Sequence, residues 1–156
     1  MRTSLLVLAL LVAPTSFAQA QSLKLSAEDS RAIQNCIKEK ESRKEGAERC
    51  IGLIADRCLD TPAGQSTHGQ AECYRREHLV WDDILNETYR RLQGQFEGRL
   101  KTQLRDVQRS WLEARKQQCE FYADVIKGSL AIPTAASCMN TETARRALYL
   151  LNLLNL

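Results

Sequence analysis

The sequence is poor in the residues that carry chemistry. It has only two histidines, His68 and His78, and its six cysteines contain no C-x-x-C pair. Metal or redox centres built on such spacings therefore find few ligands here. No H-E-x-x-H, paired-histidine or G-x-S-x-G motif occurs, so zinc peptidases and α/β hydrolases lose their signatures. Ser129 follows Gly128, but no base stands near it in sequence to make it a nucleophile. A continuous apolar run of about 18–20 residues is missing, so no segment reads as a membrane span. No stretch shows a strand signal; the periods are helical throughout.

A strong charge of one sign is also missing. Arg2 is the only charge in the first 20 residues, which leaves 21 basic against 19 acidic residues, a net charge of +2, in the remainder. This near balance argues against a nucleic-acid binder. The first 20 residues, "MRTSLLVLALLVAPTSFAQA", combine Arg2, an apolar run from Leu5 to Val12 and small residues at Ala18 and Ala20. They read as a secretory signal peptide cleaved after Ala20, or alternatively after Ala18. The first cysteine is Cys36, so no lipid anchor is expected at the cleavage point. A single domain of about 136 residues then remains.

Six cysteines in an exported chain read as three disulfides. Sequence alone allows about 15 pairings. Pairing neighbours gives Cys36–Cys50, Cys58–Cys73 and Cys119–Cys138. Each closes a loop of roughly 15–20 residues and stabilises the fold by about 3 kcal/mol in the chain-entropy account.

The pattern predicts an all-α domain. Two long helices pack antiparallel, with shorter helices against them and disulfides stapling the loops. Ser26 with Asp29 is a capping box that starts a helix over 27–40. Ser42 with Glu45 repeats it and starts a shorter helix through Cys50 to Ile54. "LDTPAGQST" breaks the order, and Thr67 with Gln70 opens a long helix to Phe96. Tyr74, Trp81, Leu85, Thr88, Leu92 and Phe96 share its buried face. Gly94 and Gly98 mark a turn near its end. In the next helix Leu100, Leu104, Val107, Trp111, Ala114, Gln118, Phe121, Tyr122 and Val125 lie within roughly 60° of one line. Trp111 is expected in the core, packed on the preceding helix. "KGSLAIPTAASC" reads as a loop, and a last helix starts near Asn140 or Thr141 with Ala144, Leu148, Leu151 and Leu154 buried.

Lys101, Arg105, Arg109 and Lys116 project away from the apolar stripe as a solvated face or a docking surface. Arg115 lies on the flank of the stripe and reads as a structural hydrogen bonder. His68 and His78 read as structural.

Read together, "TxxxxxC…E…WDxxLNxxYxxL", "LxxxQRxWxxxRxxxC" and "GS…C" resemble the LprI-type lysozyme-inhibitor domain. The matching residues are Thr67, Cys73, Glu77, Trp81, Asp82, Leu85, Asn86, Tyr89 and Leu92, then Leu104, Gln108, Arg109, Trp111, Arg115 and Cys119. Gly128, Ser129, Cys138, Arg145 and Leu148 complete the pattern. The resemblance covers 58–154, and residues 21–57 form an N-terminal helical extension. Among these, Trp81, Asp82, Asn86, Tyr89, Trp111 and Arg115 read as structural members of the motif. One departure stands out: the family often has Y-R-D where this chain has Ala114-Arg115-Lys116.

The resemblance implies a secreted or bacterial periplasmic protein, disulfide-bonded and not an enzyme. It needs no cofactor and takes a protein partner: lysozyme or another peptidoglycan hydrolase. The alternative is a periplasmic structural or interaction module with a different partner. In a bacterial periplasm the Asn86-Glu87-Thr88 sequon stays unglycosylated. Lysozyme clefts hold two catalytic carboxylates. The parts expected to reach them are the basic stripe and the loop 128–138, with Gly128 and Ser129. Many lysozymes are strongly basic, so net charge would not steer this chain toward them. A local acidic patch of Asp82, Asp83 and Glu87 could do so.

Overall fold

The computed structural model describes residues 24–156; the expected signal peptide lies outside the described residues. Five α-helices and two short 3-10 turns make up the fold, and no strand occurs among the described residues. The helices are α1 (Ala27–Ser42), α2 (Ala55–Leu59), α3 (Thr67–Gln95), α4 (Gly98–Val125) and α5 (Ala131–Leu154). The three disulfides pair the cysteines in order along the chain: Cys36–Cys50, Cys58–Cys73 and Cys119–Cys138.

Ser26 caps α1, its hydroxyl accepting from the Asp29 N–H at 3.3 Å. Ile33 and Ile37, one turn apart, are the buried apolar residues of this helix. Asp29 joins them in the interior because Arg76 of α3 grips it with two hydrogen bonds, at 2.6 and 2.8 Å. The second capping box is overturned. Helix α1 runs on to Ser42, whose hydroxyl donates to the Glu39 carbonyl at 2.8 Å. Lys44 then turns the chain with φ 55°, and Glu45 pairs with Lys40 at 2.8 Å. A charged partner within reach outcompetes the cap. Residues 47–50 form only a 3-10 turn, and the α-helix resumes at Ala55.

The cap of α3 is Ser66 rather than Thr67, accepting from the Gly69 N–H at 2.9 Å. Gly69 is required here, because a Cβ would stand 1.8 Å from the Ala63 carbonyl oxygen of the preceding turn. Along α3 the buried face is Ala71, Cys73, Glu77, Val80, Trp81, Leu85, Thr88 and Leu92. Tyr74 and Phe96 sit at its margins. The helix passes through Gly94, and Gly98, at φ 52°, takes the chain back into α4.

Helix α5 is the main departure from expectation. It begins at Ala131, well before Asn140. Pro133 is its third residue, within the first turn, where no backbone N–H is needed. Ala136, Ala144 and Ala147 are buried small residues that let α5 approach α3 closely along most of its length. The two run parallel: Glu77 meets Asn140, and Thr88 shares a groove with Leu151. Helix α4 runs antiparallel to both and packs mainly on α5, through Cys119–Cys138, Arg115–Thr143 and Gln108–Arg146.

With α5 filling the face of α3, the α4 stripe has little left to cover it. Only Leu104, Gln108 and Cys119 are buried in α4. Leu100, Val107, Ala114, Gln118, Phe121, Tyr122 and Val125 are exposed, Phe121 at 64%. Trp111 is corrected with them. It packs on the rim of the core and remains partly open. Trp81 is the tryptophan at the centre, fully buried.

Glu77 holds this centre together. Its buried carboxylate accepts from the N–H groups of Gly52, Ile54 and Ala55 at 2.8–2.9 Å. The Trp81 indole donates at 2.9 Å and the Asn140 amide at 3.0 Å. Removing the acceptor would strand all of these donors inside the protein. Glu77→Ala is expected to cost about 3–5 kcal/mol in denaturant unfolding, and Glu77→Gln less. A loss below about 1 kcal/mol for the alanine variant would show that the carboxylate is not what closes the core.

Candidate partner-binding surface

Helix α4 is the most open of the long helices. Lys101, Arg105, Arg109 and Lys116 are all exposed along it. Arg105 pairs with its neighbour Asp106 at 2.9 Å. Lys101, Arg109 and Lys116 form no ion pair among the described residues. Gly128 and Ser129 are exposed in the turn between α4 and α5, with Gly128 at φ 101°. The expected loop 128–138 is mostly helix: from Ala131 onward it is the start of α5, with Pro133 and Ala136 buried. Only the short turn remains available. At about 1.5 Å per residue, Lys101 and Ser129 stand roughly 40 Å apart at opposite ends of α4. The basic stripe and the turn are therefore separate patches.

A second group of side chains lies where α4 meets α5. The guanidinium of Arg115 sits 4.7 Å from the Trp111 ring centre. That of Arg146 sits 5.5 Å from the same ring and 4.9 Å from the Tyr149 ring. Arg115 donates through Nη1 to the Thr143 hydroxyl at 2.7 Å, and Arg146 through Nε to Gln108 Oε1 at 2.9 Å. Burial lowers the pKa of both arginines, against the pull of Asp82 on Arg115 and of Tyr149 on Arg146. No carboxylate approaches either guanidinium within 4 Å among the described residues. Lys116, which follows Arg115, is exposed, as is Ala114.

The other motif residues serve several places. Asp82 accepts from Asn86 Nδ2 at 2.9 Å, and Tyr89 packs against the core. Asp83 and Glu87 line a groove against Gln34, Lys38 and Glu41 of α1. Asp82 acts instead on His78 and Arg115. The expected acidic patch is thus divided between two faces of α3. Sequence reasoning missed Arg146, Tyr149, Thr143 and Asn140. The helical period could have found Asn140 and Thr143, which share a buried stripe with Ala147 and Leu150, but not Arg146 and Tyr149, which lie beside it.

His68 is exposed at the start of α3. His78 is largely enclosed beside Ala123, Ala135 and Met139, and its Nε2 has no hydrogen-bond partner. Burial lowers its pKa from 6.5, with Asp82 opposing and Arg115 reinforcing the shift. The unfolded chain therefore binds this proton more tightly than the folded one. Stability falls as pH drops through about 6.5 and keeps falling until the pH lies below the folded value. Thermal melts between about pH 7 and 5 should show this fall, and His78→Leu should flatten it. An unchanged slope in the variant would exclude His78 as a source.

The two tryptophans make a paired prediction. Trp81→Ala is expected to cost about 3–5 kcal/mol, and Trp111→Ala about 1–3 kcal/mol, because its site is half open. Equal losses in denaturant titrations would contradict their different burial.

Among the described residues no helix is long and apolar enough to cross a membrane. No three His, Cys, Asp or Glu side chains among them are grouped to hold a metal ion. Comparison with curated proteins and with solved structures found no match. The stretch 58–150, more than half of the chain, matches the family described as lysozyme inhibitor LprI. It takes in α3, α4, most of α5 and two of the three disulfides. The chain belongs to the lysozyme inhibitor LprI family.

Proposed function

We propose that this protein is exported to the bacterial periplasm or beyond, and that it binds and inhibits a lysozyme or a related cell-wall hydrolase without catalysis of its own. The observation that carries the reading is the family match over 58–150. Three disulfides suit an oxidising compartment. The exposed length of α4 supplies a contact edge. Leu100, Val107, Phe121 and Val125 are open on one flank, and Lys101, Arg109 and Lys116, which form no ion pair among the described residues, on the other. Cations reaching the paired carboxylates of a glycosidase cleft would hold them in the charged, occupied state and shut out the saccharide. A net charge of +2 gives no long-range attraction to a basic enzyme, so recognition must be local. The same near neutrality favours a second reading, an interaction module with a partner other than lysozyme.

A turbidity assay on cell-wall suspension decides between them. With purified lysozymes of several types, micromolar protein should slow at least one. The double variant Arg109→Gln/Lys116→Gln should keep its melting temperature and inhibit about tenfold more weakly, a change of about 1.4 kcal/mol. No inhibition of any type would leave only the second reading.

A further inference from the structure

We propose that Trp111, Arg115, Arg146 and Tyr149 form a docking face for carboxylate side chains displayed by a partner protein. This rests on the reading of the protein as a binder of another protein, but not on that partner being a lysozyme. The four side chains alternate in one ladder, Arg115 on Trp111, then Arg146 on Trp111 and Tyr149. Most arginines of α3 and α5 that meet an acid have it close at hand: Arg75 with Glu72, Arg76 with Asp29, Arg90 with Glu87, and Arg145 with Glu142. Arg115 and Arg146 are less exposed than these and have no acid at all within 4 Å.

A half-buried cation without a counterion is costly, and the ring faces offset only part of that cost. Neutral acceptors take one nitrogen of each guanidinium. A second nitrogen of each, Arg115 Nε and Arg146 Nη2, is buried without an acceptor. That leaves Nη2 of Arg115 and Nη1 of Arg146 to face outward. A carboxylate arriving there would supply the missing negative charge and accept one charge-assisted hydrogen bond from each guanidinium. Tyr149 is 53% exposed, and Leu112, next to Trp111, is 42% exposed, so apolar area flanks the cations. Tryptophan, tyrosine and arginine together are the composition of a protein-binding hot spot. A small anion alone would leave that apolar area uncovered, so a protein surface is the better fit.

The test uses the full disulfide-bonded protein and a hexaglutamate peptide at low ionic strength, followed by NMR of the indole N–H signals. The Trp111 signal should shift and saturate, while that of buried Trp81 stays still. Arg146→Gln should weaken binding at least tenfold, and Arg115→Lys, which keeps the charge but not the guanidinium against the Trp111 ring, should weaken it less. Arg31→Gln and Lys38→Gln on α1 should change it less than twofold. A hexalysine peptide should produce no shift. No shift at Trp111, or equal binding by Arg146→Gln, or equal loss in the α1 variants, overturns the proposal. Peptide binding by a protein that inhibits no lysozyme would support this face while removing the hydrolase reading. Inhibition without peptide binding would do the reverse.

Discussion

The buried carboxylate of Glu77 is the constraint on which the rest of the structure depends. A charged group out of water is tolerated only where donors replace its hydration. Here they come from three separate parts of the chain: the backbone of 52–55, the indole of Trp81 and the amide of Asn140. The 52–55 backbone and Asn140 each fix another segment relative to α3, while Trp81 ties Glu77 to the next turn of its own helix. The backbone donors lie before the stretch that matches the family, yet they close on a residue inside it. The N-terminal extension and the family region consequently share one core, in which Ile33, Ile37 and Ile54 pack with Trp81, Leu85 and Leu148.

Much of this fold is legible from the residues. The step of three and four from Trp81 to Leu92 marks the inner face of α3, and Ser26 with Asp29 marks the start of α1. Cysteine order gave the disulfides, because a chain of short helical hairpins brings sequence neighbours together. The illegible part has one source. Pro133 and the small residues around it look like a loop, although proline is harmless in a first helical turn. Shortening α5 by nine residues uncovers the first turns of α3, and the α4 stripe is then assigned there. Gln118, Phe121, Tyr122 and Val125 follow from that step, being level with the added turns, whereas Trp111 lies beside Arg146 in the part of α5 already read as helix. Ser42 fails differently. Its cap lost to a Lys40–Glu45 pair that no local pattern encodes.

The candidate surface was legible only on its polar side. Charges at helical spacing reveal that Lys101, Arg109 and Lys116 face outward. They do not reveal which arginines lie against rings, since Arg146 and Tyr149 come from a different helix than Trp111 and Arg115. The ladder exists because Cys119–Cys138 and the Arg115–Thr143 bond hold α4 against α5 in one register. In this chain the ladder lies in a helix pair held in register, not in a projecting loop.

The order of the disulfides has a consequence for how the protein matures. Each cysteine bonds to the next one along the chain: 36 to 50, 58 to 73, and 119 to 138. A chain that enters an oxidising space from its N-terminus presents them in that sequence. Where oxidation keeps pace with entry, every second thiol to arrive finds just one unpaired thiol waiting, and it is the native partner. Vectorial entry then writes the correct pattern directly, and thiol exchange has nothing to rearrange.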